Sequence, residues 1–286
     1  MARGSSDDRQ RRVSALLADL GSGDRARIRA DDVAVVVAHP DDETIGCGAQ
    51  LARWMGAAII VVTDGAPRNL ADAVTYGFAS AEAYAAVRRG ELLAALGCAG
   101  VPASRVVQLG VPDQQTALKL ATLAERLAAI FDQLGTAVAV THAYEGGHPD
   151  HDATAFAVHW AASARAGVIE IPFYRAGGRG EALNVLQRFP PGGPAEVCVP
   201  LSEDERRLKA RMVAAHATQA RTLAPFPLDA ERFRPAPSYD FTALPNGGRL
   251  LYERYDWGMT GARWLRLARA AMRQLNLAGG VACSPS

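Results

Sequence analysis

Short apolar runs rich in Val and Ile alternate with Ala- and Leu-rich stretches through the first half of the chain. The runs are continuous, which is typical of parallel strands that are covered on both faces of a sheet. We predict strands at Val33–Ala38, Ala57–Thr63, Arg105–Leu109, Ala137–His142 and Val168–Phe173, and helices at Glu43–Met55, Ser80–Leu96, Thr116–Leu134 and Ala153–Ala166. This order predicts an α/β fold with an open, doubly wound and mostly parallel sheet.

The composition excludes several classes of protein. The 286 residues carry 31 Lys and Arg against 30 Asp and Glu, so no global field favours nucleic acid or an anionic membrane. No run approaches the length of a membrane span. The four cysteines are widely spaced and form no CxxC pair, and the polar start lacks a secretory signal. We therefore expect a reducing compartment and a cytoplasmic protein.

Two clusters of His and Asp each follow a predicted strand. The first is Ala38–Glu43, with the sequence AHPDDE, and the second is His148–His151, with the sequence HPDH. Because the carboxyl ends of parallel strands meet at one edge of a sheet, we expect both clusters on the same rim. His39, Asp42 and His151 supply two imidazoles and one carboxylate, a set that suits catalytic Zn²⁺ or, alternatively, Fe²⁺.

The remaining groups of the two clusters suit proton transfer. Asp41 lies between two predicted ligands and is our candidate general base for water; capping of the following helix is its alternative role. We assign His148 to the substrate side, where it would polarise a carbonyl oxygen and protonate a leaving amine. Asp150 is predicted either to orient His148 or to serve as a second-layer acceptor.

These motifs resemble those of the PIG-L, or LmbE-like, family of zinc-dependent N-deacetylases. The AHPDDE and HPDH segments carry the resemblance, which extends over roughly Asp32 to Ala220. Weaker matches are the turn Thr63-Asp64-Gly65, the helix segment Arg88–Glu91, the loop Leu109–Asp113 and the pair Thr218-Gln219.

The resemblance implies a Rossmann-like fold and hydrolysis of an N-acetyl group from an amino sugar, such as an N-acetylglucosamine derivative. It implies zinc on His39, Asp42 and His151, water activated by that zinc, Asp41 as the base and His148 as electrophile or acid. The expected partner is a small acetylated amino sugar or glycoconjugate, and a homo-oligomer is compatible with the sequence.

Candidate substrate contacts lie in loops near the same rim. Arg68 follows the second predicted strand and Asp113 follows the third. In the resembling family a tyrosine shortly before the HPDH segment approaches the oxyanion, and Tyr144 is the nearest here. Arg88 and Glu91 are three residues apart on a helix, which most simply predicts an intrahelical ion pair.

We predict a single domain with additions at both ends. Residues 1–30 are an N-terminal arm and lead-in, of which 1–12 are predicted to be disordered. Residues 31–220 are the LmbE-like catalytic domain. Residues 221–286 are a C-terminal extension packed on the same domain; within it, Arg221–Gly248 is predicted as a long ordered loop and Leu250–Tyr255 as a further strand.

Other functions fit the sequence less well. A dinucleotide-binding domain would need GxGxxG after the first strand, and a serine hydrolase of this class would need GxSxG; neither occurs. An amidase of the same fold that cleaves a bulkier acyl or thiol conjugate is the alternative enzyme. A non-catalytic, metal-dependent sugar-binding protein is the other alternative, although pure binding gives Asp41 and His148 no chemical purpose.

Overall fold

A seven-stranded sheet in the order β10-β11-β7-β6-β2-β4-β5 forms the centre of the computed structural model, which describes residues 6–281. The strands of the described residues are β1 Ile28–Arg29, β2 Val33–Val37, β3 Trp54–Met55, β4 Ala58–Pro67, β5 Val106–Asp113, β6 Val138–His142, β7 Gly167–Ile171, β8 Tyr174–Ala176, β9 Asn184–Leu186, β10 Val197–Pro200 and β11 Ala230–Pro235. β1 pairs with β3, and β8 pairs with β9, outside the main sheet.

Helices cover both faces of the main sheet. The α-helices are α1 Ser6–Gly21, α2 Asp42–Leu51, α3 Ala71–Thr75, α4 Ala81–Cys98, α5 Leu120–Leu134, α6 Pro149–Ala162, α7 Glu203–Ala215, α8 Ala220–Leu223 and α9 Gly261–Val281. Short 3₁₀ turns lie at Ala103–Arg105, Thr116–Lys119, Ala217–Gln219, Asn246–Gly248 and Leu251–Arg254. None of the helices in the described part of the chain combines the length and apolarity that crossing a bilayer requires.

The five predicted strands form one parallel block, β5-β4-β2-β6-β7, so the prediction of an α/β fold with a mostly parallel sheet is confirmed. The chain moves outward from β2 in one direction through β4 and β5, and then in the other through β6 and β7. This reversal creates a crevice beyond the carboxyl ends of β2 and β6, where ligands bind in folds of this type.

The alternation of side chains along β2 divides the hydrophobic core into two layers. Ala34 and Val36 pack in a cluster with residues of α5, α6 and α9. Val33, Val35 and Val37 pack in a second cluster with residues of α1, α2 and α7. Every residue of β2 is buried, which explains why its sequence is a continuous apolar run.

Three predictions outside the parallel block were wrong. The disorder predicted for residues 1–12 does not hold from Ser6 onward, where α1 begins and buries Val13 and Leu17; residues 1–5 lie outside the described part. The strand predicted at Leu250–Tyr255 is a 3₁₀ turn. The loop predicted at Arg221–Gly248 contains β11, which pairs antiparallel with β7 and β10.

Ion pairs allow β11 to form a buried strand within the proline-rich stretch that we predicted as a loop. Its sequence, AERFRP, contains three charged residues among six. Glu231 is buried and lies 2.8 Å from Lys209, and Arg234 is buried and lies 3.1 Å from Glu170. Paired charges can be buried in an interior strand, whereas a sequence pattern alone suggests that they are solvated.

The ion pair between Lys209 and Glu231 stabilises α2, the helix that begins within the AHPDDE motif. The φ and ψ angles of Cys47, −149° and 22°, interrupt α2. The Ile45 carbonyl accepts a hydrogen bond from Lys209 Nζ at 2.7 Å, and the Ala49 N–H donates to Glu231 Oε1 at 2.9 Å. The ion pair thus satisfies backbone groups that the interruption would otherwise leave unpaired.

We expect Lys209→Met to lower the free energy of unfolding by about 3–5 kcal/mol, because it leaves the buried Glu231 carboxylate uncompensated. Urea denaturation followed by circular dichroism measures this change. Lys119→Met, at an exposed position, is the matched control and should change the free energy by less than about 0.5 kcal/mol. Equal effects of the two substitutions would contradict this account of α2.

Candidate active site

The three predicted ligand atoms from the two His/Asp motifs converge at the crevice. His39 follows β2, Asp42 is the first residue of α2, and His151 lies in the first turn of α6. His39 Nδ1 lies 3.2 Å from both Asp42 Oδ2 and His151 Nε2, and the last two atoms lie 3.4 Å apart. All three side chains are buried.

This triangle has the dimensions of a tetrahedral metal site. Metal–ligand bonds of 2.0–2.1 Å at tetrahedral angles place the ligand atoms about 3.3 Å from one another. The three observed separations fall close to that value. The residues present therefore fit a zinc ion with three protein ligands and one further coordination position.

Two carboxylates fix the orientation of the His39 ring. His39 Nε2 lies 3.1 Å from Asp113 Oδ1 and 3.5 Å from Asp150 Oδ2. The ionised carboxylates can only accept, so Nε2 carries a proton, and Nδ1 is the nitrogen that faces Asp42 and His151. Burial opposes a charge on His39, but Asp113, Asp150 and Asp42 outweigh burial and raise its pKa well above the ordinary value.

Asp150 is held by backbone groups rather than by a histidine side chain. Its carboxylate accepts from the N–H groups of Gln114 at 2.6 Å and Thr116 at 3.0 Å. Burial raises the pKa of Asp150, with the nearby Asp113 carboxylate acting in the same direction. The carboxylates of Asp113 and Asp150 both lie next to His39 Nε2, on the side away from Asp42 and His151. This is the second-layer position that was one of the two roles predicted for Asp150.

His142 also lies beside the triangle but has a structural role. Its Nε2 lies 3.6 Å from Asp42 Oδ2 and accepts the Ala38 N–H at 2.8 Å. Because that lone pair is engaged by the backbone, His142 is not available as a ligand through Nε2. Its ring stacks on His151 at 4.0 Å between centroids and so fixes the orientation of that imidazole.

Asp41 points to Arg88 rather than to the helix that it precedes. Its Oδ2 accepts from Arg88 Nη2 at 3.0 Å, and its carboxylate makes no capping hydrogen bond, so the capping alternative was wrong. Its φ of 139° is unusual for a residue with a side chain, and its N–H donates to the buried Glu43 carboxylate at 3.0 Å. Burial raises the pKa of Asp41 to about 7, although Arg88 acts in the opposite direction.

His148 offers a hydrogen-bond donor to the cavity. Its Nδ1 accepts the Asp150 N–H at 3.1 Å, so the proton of the neutral ring lies on Nε2. Burial, together with the neighbouring His39, lowers the pKa of His148 well below the ordinary value. The neutral ring is therefore a fixed N–H donor beside the three predicted ligands.

A cavity of about 470 Å³ brings these groups together. Its wall includes the three proposed ligands together with Asp41 and His148. Polar side chains at the same wall are Asp72, Arg88, Asp113, Gln114, Asn184, Gln219 and Thr222. The volume lies in the range of pockets that hold small molecules.

Two of the predicted substrate contacts lie elsewhere. Arg68 folds back on Asp64, with Nη2 2.5 Å from Oδ2, and is not part of the cavity wall. The Tyr144 hydroxyl donates to the Ala243 carbonyl and accepts from Trp264 Nε1, so this side chain belongs to the core. The local sequence could not reveal either partner of Tyr144, because both lie about a hundred residues downstream.

The predicted pair of Arg88 and Glu91 does not form. Arg88 reaches across to Asp41 and to the carbonyls of Pro40 and Gly65. Glu91 accepts from the backbone N–H and the hydroxyl of Thr218 at 2.8 and 2.7 Å. Residues of the weaker sequence motifs thus make the contacts that hold the loops of the site in place.

Comparison with known families adds to this geometry. The model of the PIG-L family, described as GlcNAc-PI de-N-acetylase, matches residues 34–162, which carry both His/Asp motifs. Residues 34–162 are a PIG-L domain. A comparison with curated protein sequences found no match.

Several solved structures share the fold of this chain. The A40926 pseudoaglycone deacetylase Dbv21 is 20% identical, with a TM-score of 0.58 over 72% of this chain and 97% of that one. The zinc-inhibited form of teicoplanin deacetylase Orf2 is 19% identical, with a TM-score of 0.54 over 72% and 97%. N,N′-diacetylchitobiose deacetylase from Pyrococcus horikoshii is 19% identical, with a TM-score of 0.51 over 79% and 91%. At these identities the likeness establishes the fold alone.

We expect His151→Ala to weaken zinc binding by more than about 100-fold. Loss of a residue that only hydrogen-bonds a ligand typically lowers metal affinity by about 10- to 100-fold, and loss of the ligand itself should cost more. Metal analysis after dialysis against a zinc buffer measures the bound stoichiometry. His159→Ala, in the same helix but outside the cavity wall, should retain the metal of the unmodified protein. Full occupancy in the His151 variant would refute its assignment as a ligand.

Proposed function

We propose that this protein is a metal-dependent hydrolase that removes the N-acetyl group from an amino sugar or a glycoconjugate that contains one. The observation that carries the proposal is the convergence of His39, Asp42 and His151 within 3.4 Å at a cavity that also exposes Asp41 and His148. The PIG-L domain and the deacetylases of the same fold support the choice of reaction.

The three ligands would hold Zn²⁺. When bound, the ion would act as a Lewis acid towards the acetamide and lower the pKa of water in the site to about 7. The carboxylates of Asp41, Asp42, Asp113 and Asp150 crowd the centre, and a divalent cation would compensate this buried negative charge.

Asp41 would accept the proton of the attacking water. Its carboxylate borders the cavity beside the ligands, and the hydrogen bond to Arg88 holds it in one orientation. A general base is most effective when its pKa lies near the working pH, and burial raises the pKa of Asp41 towards neutrality. After the water oxygen has bonded to the carbonyl carbon, the protonated Asp41 would deliver its proton to the amine nitrogen as the C–N bond breaks. Asp41 takes this role in place of His148, the acid that the sequence suggested, because the lowered pKa of His148 keeps its ring neutral.

His148 would stabilise the oxygen of the reacting carbonyl. Its Nε2–H would donate a hydrogen bond to that oxygen as negative charge develops on it, and the Asp150 N–H holds the ring at Nδ1. A neutral imidazole suits this role because the donor is already in place before the reaction. The products are acetate and the free amino sugar.

We expect Asp41→Asn to reduce kcat for acetate release by about 10²- to 10⁴-fold, the usual contribution of a general base. The assay measures acetate released from a panel of N-acetylated amino sugars by the zinc-loaded protein. The variant should keep its zinc, because Asp41 is not one of the three proposed ligands.

Asp132→Asn, which changes an exposed carboxylate on α5, is the control and should leave turnover unchanged. Loss of zinc together with activity in the Asp41 variant would contradict its assignment as the base. Hydrolysis of larger acyl groups with no release of acetate would contradict the proposed deacetylation itself.

A further inference from the structure

Four aromatic rings, each in contact with the next, extend from the protein surface to the proposed metal site. The Tyr255 and Trp257 rings are stacked, with centroids 4.4 Å apart and an interplanar angle of 15°. The Trp257 ring lies 4.4 Å from the His148 ring, which in turn meets the His39 ring edge-on at 4.6 Å. Tyr255, Trp257, His148 and His39 all line the same cavity.

The outer end of this row of rings is exposed. Tyr255 keeps 45% of its surface accessible, and Trp257 is half-buried. Both residues lie in the C-terminal part of the chain, beyond the segment that matches the PIG-L family model. Tyr and Trp combine a large apolar ring with a polar group, which is why both are enriched at binding interfaces.

The turn that carries these rings is anchored by other groups. The Leu251 N–H donates to the Gly146 carbonyl at 2.8 Å, which ties the turn to the loop that precedes His148. On the other side, the Gly261 N–H donates to Glu253 Oε1 at 2.7 Å. Because these two hydrogen bonds hold the turn on both sides, the exposed face of Tyr255 is not needed to keep it in place.

The geometry points to an aromatic wall, formed by Tyr255 and Trp257, that binds a second ring of the substrate. An acetamide that reaches His148 places the amino sugar next to Trp257, because the indole packs directly on that imidazole. A group attached to this sugar would then extend along the wall to Tyr255. The inference rests on the proposed function and deepens it: the preferred substrate is an acetylated amino sugar that carries a further sugar ring or an aryl group.

The substrates that test this inference are N-acetylglucosamine and its phenyl β-glycoside, which differ by one ring. We expect the zinc-loaded protein to show a higher kcat/KM for the phenyl glycoside. In Tyr255→Ala the ratio of the two kcat/KM values should fall by about two- to tenfold, the effect expected for the loss of one aromatic contact. Tyr255→Phe, which keeps the ring, should restore the ratio.

Leu118→Ala, at an exposed apolar position outside the cavity wall, is the matched control and should leave the ratio unchanged. Thermal unfolding and zinc content, measured for each variant, exclude loss of the fold or of the metal as the cause. An unchanged ratio in Tyr255→Ala would overturn the inference, as would a fall that Tyr255→Phe does not reverse.

Calorimetry of phenyl glycoside binding separates this inference from the proposed function. If the wild-type protein hydrolyses neither compound, the proposed function fails, and the binding constants then decide the role of the wall. Weaker binding to Tyr255→Ala than to the wild type and to Tyr255→Phe supports the wall. Equal binding to all three proteins, or no binding to the wild type, overturns it.

Discussion

The parallel pairing of β2 with β6 is the constraint on which the rest of the site depends. Val33 pairs with Val138 and Val36 with Thr141, so the two strands end side by side. The loops that leave them carry the two His/Asp motifs, although these motifs lie about a hundred residues apart in the chain. A shift of this register would move one motif along the strand by about 3.3 Å per residue, which is enough to separate the proposed ligands.

Several buried interactions hold the motif residues in positions that the backbone alone would not favour. Asp41 has a positive φ, and α2 is interrupted at Cys47. Arg88 and Glu43 bind Asp41, while Lys209 satisfies the backbone at the interruption. Such strain persists where the surroundings over-determine it, and it is commonly concentrated at functional sites. Here the same contacts that relieve the strain also orient the reactive groups.

The sequence predicted the parallel block of the sheet and the crevice at its rim because both depend on local patterns. Continuous apolar runs identify covered strands, and the position of each motif after a strand identifies the rim. The structure brings His39, Asp42 and His151 together at separations that fit a zinc ion. The binding of a metal by these three residues stays a prediction.

Long-range partners explain what the sequence could not predict. Arg88 was predicted to pair within its helix but instead binds Asp41, and Tyr144 is held by groups from the C-terminal region. The prediction missed β11 because its stretch is rich in proline and because the partners of its charges lie in other elements. Trp257 could not be placed at the cavity, since nothing near it in the sequence distinguishes a cavity wall from the core.

Anomalous diffraction at the zinc edge, from crystals of the zinc-loaded protein, is the most direct test of the central claim. We expect one strong peak about 2.0–2.1 Å from His39 Nδ1, His151 Nε2 and a carboxylate oxygen of Asp42. A peak bound through His142 in place of His39, or the absence of any peak at this centre, would contradict the account.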